Sequence, residues 1–112
     1  MSDPKFLTEF RLVSNSFDSK FPSKILKLYR LNNIYLLHNP VISGNVPSGI
    51  GKMNFLMEIE LYFTSLYGNI PSEFGLIKDL CYIGIDETHI HGPIPDKMGN
   101  MHQIKYLYIE LL

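Results

Sequence analysis

Four prolines recur along this chain at nearly constant intervals, and their neighbours recur with them. Intervals of 25, 24 and 24 residues separate Pro22, Pro47, Pro71 and Pro95. An apolar residue precedes each proline, and another lies three positions after it. A regular period of roughly 20 to 50 residues is typical of stacked structural repeats, because each unit is too short to bury its own apolar side chains. We therefore expect a stack of equivalent coils with one continuous core.

Within each period, apolar residues are spaced as in a half-buried β-strand. Two free positions follow the first apolar residue, one follows the second, and a third apolar residue completes the pattern. It occurs at Leu7, Phe10 and Leu12; Leu31, Ile34 and Leu36; Leu56, Ile59 and Leu61; Leu80, Ile83 and Ile85; and Ile104, Leu107 and Ile109. Such alternation predicts strands that bury one face by stacking into a parallel sheet. Proline has no backbone N–H to donate, so the prolines mark segments that return outside the sheet.

The complete period reads L-x-x-L-x-L-x-x-N-x-L-x-G-x-I-P-x-x-L-G-x-L, with GNVP, GNIP and GPIP at its glycine–proline segment. It resembles the plant-type, 24-residue leucine-rich repeat, and the resemblance covers residues 7–112. The repeats are similar to those in the ectodomains of receptor-like kinases and receptor-like proteins. This implies an α/β solenoid, a right-handed superhelix with short parallel strands on the concave face and irregular or 3-10 turns on the convex face. We expect residues 1–112 to form a single domain of about 4.5 repeats, with strands beginning near positions 7, 31, 56, 80 and 104.

Two positions that follow each strand pattern carry further information. The first favours asparagine in the family and holds Asn15, Asn39, Thr64, Thr88 and Leu112. The second is apolar and holds Phe17, Val41, Leu66 and Ile90. An asparagine side chain can satisfy buried backbone groups at a turn, and stacked coils would align these side chains in a polar ladder. Because threonine and leucine replace asparagine in the later repeats, we expect this ladder to weaken toward the C-terminus. Residues 41–44 include one residue more than the equivalent segments, which predicts a small bulge just after the second strand.

The two ends of the repeat array lack recognisable caps. Only MSDPKF precedes the first pattern, and the fifth repeat stops at Leu112 before its return segment. Because solenoids normally need terminal caps with a polar outer face, we expect the chain to be uncapped or a fragment of a longer repeat protein. The alternative is that the six leading residues act as a sufficient cap. Uncovered end strands also predict self-association through the solenoid ends.

Composition and charge bear on the partners and the compartment. Ten basic and eleven acidic residues give a formal charge of −1, which argues against nucleic-acid binding. No apolar stretch reaches the roughly 18 residues of a membrane span. Asp3 and Glu9 interrupt the N-terminus where a secretory signal would be apolar, and Asn-x-Ser/Thr acceptors are absent, which favours a cytoplasmic protein. The family resemblance implies instead an extracellular or membrane-attached protein if the chain is a fragment, so both compartments stay open.

The free positions between the strand leucines are the candidate binding positions, since family members generally bind partners on the concave sheet. Together with the seventh and eighth positions of each period, just after the last strand leucine, they hold five of the seven tyrosines and six of the eleven acidic residues. The predicted contact surface consists of Tyr35, Glu58, Glu60, Tyr62, Phe63, Tyr82, Tyr106 and Tyr108. Tyrosine supplies a large contact area at low entropic cost, and acidic neighbours favour a partner with basic residues. The alternative is that these residue types merely tolerate an exposed sheet.

We therefore expect a non-catalytic protein–protein interaction module that binds a protein or peptide ligand on its concave sheet, as one part of a receptor-like protein. An inhibitor of secreted polysaccharide-degrading enzymes is the alternative, although such inhibitors need secretion and paired terminal cysteines. An enzyme is disfavoured. Glu87, Thr88, His89 and His91 are close in sequence, but the repeat register points their side chains away from one another. We predict no catalytic residues, no metal site and no cofactor.

Overall fold

Each coil of the structure contributes one strand to the main parallel sheet, and a return segment with a short 3-10 helix follows each of the first four of these strands. The structure is a computed structural model that describes residues 7–13 and 20–110. The strands are β1 (Glu9–Val13), β2 (Asn33–Gly44), β3 (Glu58–Asn69), β4 (Tyr82–Asp86), β5 (His89–His91) and β6 (Tyr106–Ile109). The 3-10 helices span Ser23–Lys27, Ser48–Lys52, Ser72–Leu76 and Asp96–Asn100. No helix in this part of the chain is long and apolar enough to cross a membrane.

The main sheet has the strand order β1-β2-β3-β4-β6, and every neighbouring pair is parallel. Equivalent repeat positions lie side by side, so that Ile34 is paired with Phe10 on one side and with Ile59 on the other. The expected solenoid of short parallel strands and 3-10 turns is confirmed. Each strand begins two residues after the first leucine of its period. That leucine still belongs to the return turn, since the Leu31 N–H donates to the carbonyl of Leu28.

A second, shorter ladder runs along the C-terminal halves of the coils. β3 pairs with β5 through Tyr67 and His89, and Ser43 of β2 pairs with Ser65 of β3. Between Asn39 and Ser43 the register of β2 against β3 shifts, which confirms a bulge, although it lies within β2 and not after that strand as expected. The glycines that follow have φ values of 90°, 89° and 91°, a left-handed conformation that lets the chain turn into the proline segment: Gly44, Gly68 and Gly92.

The bulge begins earlier than the repeat pattern indicated. The pattern placed Val41 at the buried apolar position of the second coil, but Val41 is 41% exposed and Ile42 is fully buried. This expectation was wrong because the extra residue precedes the buried position instead of following it. Both candidates are β-branched and apolar, so the spacing of the chain alone does not distinguish them.

The core is a continuous column of the strand leucines and isoleucines together with residues of the return segments. In the three middle coils the repeat positions are fully buried, as at Leu36, Leu61 and Ile85. At the outer coils the equivalent residues are covered from one side, and Leu12 and Ile109 are only partly buried. Burial in this column drives folding, because each coil removes its neighbour's apolar face from water.

The polar position behind each strand changes along the stack. Asn39 is fully buried, and its Nδ2 donates to the carbonyls of Leu12 (2.9 Å) and Leu37 (2.8 Å), which joins two coils. The hydroxyl of Thr88 accepts a hydrogen bond from the N–H of Ile90, two residues away (3.1 Å). Thr64 Oγ1 is buried without a hydrogen-bond partner among the described residues. Both threonine positions make fewer hydrogen bonds than Asn39, as predicted, but Thr88 makes one and Thr64 makes none, so the weakening is not progressive toward the C-terminus. Asn15 and Leu112 lie outside the described residues.

Candidate functional site

The concave face is formed by the strand side chains that point away from the core. Strand pairing aligns these side chains in rows across the coils. One row contains Asn33, Glu58, Tyr82 and Tyr106, and the next contains Tyr35, Glu60, Gly84 and Tyr108. A third row places Leu37, Tyr62 and Asp86 side by side. The sheet therefore brings together residues that are about 24 positions apart in sequence.

At the β1 end of this face, a basic side chain covers an aromatic ring. The Arg11 guanidinium carbon lies 4.4 Å from the centroid of the Tyr35 ring, and its Nε lies 3.3 Å from Glu9 Oε2. The Tyr35 hydroxyl donates to Glu58 Oε2 at 2.6 Å. Tyr35 is consequently only 8% exposed, although it lies outside the apolar core. Of the predicted contact residues, Tyr35 is thus covered by the protein itself.

Charge and burial shift the pKa values of groups in this region. Burial and then the hydrogen bond to Glu58 raise the pKa of the Tyr35 hydroxyl above its ordinary value. Burial and the neighbouring charge of Glu58 raise the pKa of the Glu60 carboxyl. Arg11 and a hydrogen bond with Tyr82 act on the pKa of Glu60 in the opposite direction. The acidic residues of this half are therefore held in a network with one arginine and two tyrosines.

Tyrosine rings dominate the other half of the face. The Tyr62 and Tyr82 hydroxyls are 3.3 Å apart, and the Tyr82 ring stacks on that of Tyr106 with centroids 4.7 Å apart and planes inclined by 5°. Tyr62 lies across Gly84, where an added Cβ would overlap the tyrosine hydroxyl. The absence of a side chain at Gly84 thus makes room for the Tyr62 ring to lie along the sheet.

Three residues at one repeat position beside the concave face have an unusual backbone conformation. His38, Phe63 and Glu87 have φ values of 56°, 55° and 55° and occupy the same repeat position. This left-handed conformation is uncommon outside glycine and especially so for a bulky aromatic residue. The His38 and Phe63 rings stack with centroids 4.9 Å apart and an interplanar angle of 19°. The stacked pair forms an aromatic border at the C-terminal ends of the main-sheet segments of β2 and β3.

Aromatic residues line a cavity of about 280 Å³ that is open to solvent on the concave face. Its lining residues are His38, Tyr62, Phe63, Asp86, Tyr106 and Tyr108. Beside it, the Tyr108 hydroxyl donates to Glu110 Oε2 at 3.1 Å, and this hydrogen bond raises the pKa of Tyr108. Four of the predicted contact residues line this cavity, while Tyr82 supports two of them. The predicted contact residues Glu58 and Glu60 lie near Tyr35 instead.

The sequence prediction omitted residues that this cavity requires. Asp86 and His38 lie at repeat positions recognised as free, but nothing along the chain marks them as members of one cavity. The carboxylates of Asp86 and Glu87 have no hydrogen-bonding or ion-pair partner among the described residues. The combination of aromatic walls with an unpaired carboxylate is suited to a cationic group.

The hydroxyl and imidazole groups that follow β4 point into different surroundings. Thr88 is buried, whereas His89 and His91 are exposed on both sides of buried Ile90. The hydroxyl of Thr88 pairs with the backbone of Ile90, not with either imidazole. Within the part of the chain that the structure describes, no three His, Cys, Asp or Glu side chains come together as metal ligands.

Comparisons with known proteins agree with this architecture. No family model matches the sequence, and none of the curated proteins matches it significantly. Among solved structures, the chain is similar to PEPR1 in complex with AtPEP1, with 26% identity and a TM-score of 0.87 over 94% of this chain. It is similar also to the Arabidopsis receptor kinase HAESA ectodomain in complex with an N-terminally extended IDA peptide hormone, with 27% identity and a TM-score of 0.81 over 93% of this chain.

This chain is a leucine-rich repeat protein. A third similar structure is the plant peptide hormone receptor RGFR1 in complex with RGF2, at 29% identity and a TM-score of 0.76 over 87% of this chain. The leucine-rich repeat protein spans only 15% of the PEPR1 and RGFR1 chains and 18% of the HAESA chain. Its similarity to receptor ectodomains therefore concerns a short run of their repeats.

Proposed function

We propose that this leucine-rich repeat protein is a non-catalytic binding module that holds a peptide, or an extended segment of a protein, across its concave face. The observation that carries the proposal is the continuous aromatic surface from Tyr62 through Tyr82 to Tyr106. The similar structures support it, since HAESA is in complex with a peptide hormone and RGFR1 is a peptide hormone receptor in complex with RGF2. In a larger protein, the module would supply part of a receptor-like ectodomain.

The exposed rings supply the contact area that such a partner needs. Phe63, Tyr106 and Tyr108 are 46%, 49% and 41% exposed. Aromatic side chains of this kind are enriched among residues that contribute most to binding, because they bury a large area with few rotatable bonds. Stacking contacts already hold the rings of Phe63 and Tyr106, so little conformational entropy is lost when a ligand covers them.

Charge separates the two sides of the solenoid and favours a partner with basic residues. The concave face carries five acidic residues: Glu58, Glu60, Asp86, Glu87 and Glu110. The 3-10 helices carry four exposed lysines, Lys24, Lys27, Lys52 and Lys97, and only two acidic residues, Glu73 and Asp96. Complementary potentials speed the association of charged partners and suppress wrong orientations. A basic peptide would therefore be attracted to the concave face and repelled from the lysine-bearing side.

The test is selection of peptide ligands on the full chain, followed by affinity measurements on two matched variants. Phe63→Ala combined with Tyr106→Ala removes two exposed rings of the concave face, and Tyr29→Ala combined with Tyr67→Ala removes two exposed rings outside it. We expect at least about tenfold weaker binding for the first variant and unchanged binding for the second. Equal affinities for the two variants would contradict the proposal. The inhibitor alternative stays a prediction from the family resemblance.

A further inference from the structure

The concave face already pairs one guanidinium group with an aromatic ring and a carboxylate. Arg11 provides the cation, the Tyr35 ring lies 4.4 Å from it, and the Glu9 carboxylate accepts from its Nε. A guanidinium group binds well in such a place because its planar face attracts the π-electrons of a ring while its N–H groups pair with a carboxylate. The Arg11 site thus shows which groups this concave face uses to hold an arginine.

The cavity at the other half of the face has the same groups without a cation. Its walls include the Tyr62 and Tyr106 rings, and the Asp86 carboxylate lies among its lining residues. Strand pairing places Asp86 directly beside Tyr62 on the adjacent coil. Neither Asp86 nor the neighbouring Glu87 carboxylate has a partner among the residues that the structure describes. The cavity is therefore lined by aromatic rings and lies beside negative charge that no described residue neutralises by a hydrogen bond or an ion pair.

The walls of the cavity are held in position by contacts outside it. Tyr62 lies in the space left by Gly84 and its hydroxyl is 3.3 Å from that of Tyr82. Tyr82 also stacks on Tyr106, so one residue supports two walls. At the opposite border, Phe63 is held by its stacking on a histidine ring. A cation entering the cavity meets rings that need little rearrangement, which favours binding.

We propose that this cavity binds an arginine side chain of the ligand, with the guanidinium group against the tyrosine rings and paired with Asp86. The proposal rests on the proposed function, because the arginine belongs to a peptide held on the concave face. Arginine is favoured over lysine since its planar group stacks on rings and pairs with a carboxylate through two parallel N–H groups.

The first experiment uses small probes on the full chain. N-acetyl-arginine amide, N-acetyl-citrulline amide and N-acetyl-lysine amide are titrated separately while the tyrosine ring signals are followed by NMR. Citrulline has the shape of arginine but no charge. We expect arginine to bind about tenfold more tightly than citrulline and more tightly than lysine, with shifts at Tyr62 and Tyr106. Equal binding of arginine and citrulline, or of arginine and lysine, would overturn the proposal.

Matched variants locate the arginine site on the protein. Asp86→Asn keeps the shape of the side chain and removes its charge, so we expect about tenfold weaker binding of the arginine probe and little change for citrulline. Asp79→Asn removes the same charge from an exposed position outside the concave face and should leave both affinities unchanged. Equal effects of the two variants would show that the probe responds to the overall charge of the protein, and would overturn the site. NMR spectra of each variant without the probe verify that the fold is retained.

A peptide selected on the protein allows the arginine site to be tested separately from the proposed function. A peptide that depends on Phe63 and Tyr106, but retains its affinity when each of its arginines is replaced by citrulline, would overturn the arginine site and leave the proposed function intact. The site would be supported if replacing one particular arginine of the peptide by citrulline weakened its binding to the parent protein but not to the Asp86→Asn variant. A third outcome is that the selection yields no peptide that depends on Phe63 and Tyr106, while the arginine probe still binds in a way that depends on Asp86. That result would support the site and contradict the proposed function.

Discussion

Asn39 illustrates how a single side chain joins neighbouring coils of the solenoid. Its amide donates to one carbonyl in its own strand and to another in the preceding coil, and Asn39 itself is fully buried. A buried carbonyl that loses its donor costs more free energy than the bond itself contributes on average, because the group keeps the penalty of leaving water. Thr64 occupies the equivalent position with a hydroxyl that has no partner among the described residues, so the two residues form a natural comparison.

We predict opposite sensitivities at these two positions. Asn39→Leu keeps the approximate volume but removes both donations, and should lower the free energy of unfolding by about 2 kcal/mol or more. Thr64→Val removes the hydroxyl that lacks a described partner and should change the free energy of unfolding by less than about 0.5 kcal/mol, or stabilise the protein. Chemical denaturation of both variants and the parent chain measures the difference. Similar destabilisation by the two substitutions would contradict this account of the ladder.

At the scale of the element, β2 shows how the solenoid absorbs an irregular repeat. The extra residue of this coil lies between Asn39 and Ser43, where the pairing with β3 changes register. Beyond it, Ile42 takes the buried position and Gly44 the left-handed turn, as in the following coils. The inserted residue is thereby displaced toward solvent, and the column of buried side chains stays continuous. A bulge is the usual way in which a sheet accommodates one residue too many.

Substitution of the two adjacent apolar residues tests this placement of the bulge. Ile42→Ala truncates a fully buried side chain and should reduce the free energy of unfolding by about 2 to 4 kcal/mol. Val41→Ala acts on an exposed side chain and should change it by less than about 1 kcal/mol. Thermal or chemical denaturation distinguishes these outcomes. A larger effect at Val41 than at Ile42 would place the inserted residue after the buried position.

At the scale of the whole molecule, the two outer strands differ from the middle ones because each has one described neighbour. Within the described residues, β1 pairs with β2 only, and β6 pairs with β4 only. Leu7 and Leu107 are exposed at these ends, next to the open edges of the sheet. Such edges are templates for pairing with another chain. The same geometry makes each coil's stability depend on its neighbours.

We predict that the 112-residue chain self-associates through these ends. Sedimentation equilibrium should show a mean mass that rises with protein concentration. Leu107→Lys places a charge at the exposed edge and should reduce the association, whereas Leu76→Lys introduces the same charge at an exposed position on a 3-10 helix and should not. A monomer at all concentrations, or equal effects of the two substitutions, would contradict end-to-end pairing.

The repeat pattern alone determined the stack of coils, the parallel order of the strands and the rows of the concave face. It could do so because each coil contacts mainly its neighbours, so residues such as Ile34 and Ile59 meet the same environment one period apart. Alternation within each strand then decided which side chains turn inward. For the same reason, the rows of tyrosine and glutamate follow directly from the amino-acid sequence.

Only the tertiary structure decided how the side chains of those rows combine. Tyr35 and Tyr106 occupy neighbouring rows of the same face, yet Arg11 covers the first and nothing in the described chain covers the second to the same extent. Ile42 occupies the core position that the repeat pattern assigned to Val41, and the missing side chain at Gly84 leaves space for the ring of Tyr62. These outcomes depend on which side chains face each other across coils about 24 residues apart, and on the space left between them. A one-dimensional period specifies positions in the stack, but contacts between particular side chains arise only when the coils pack together.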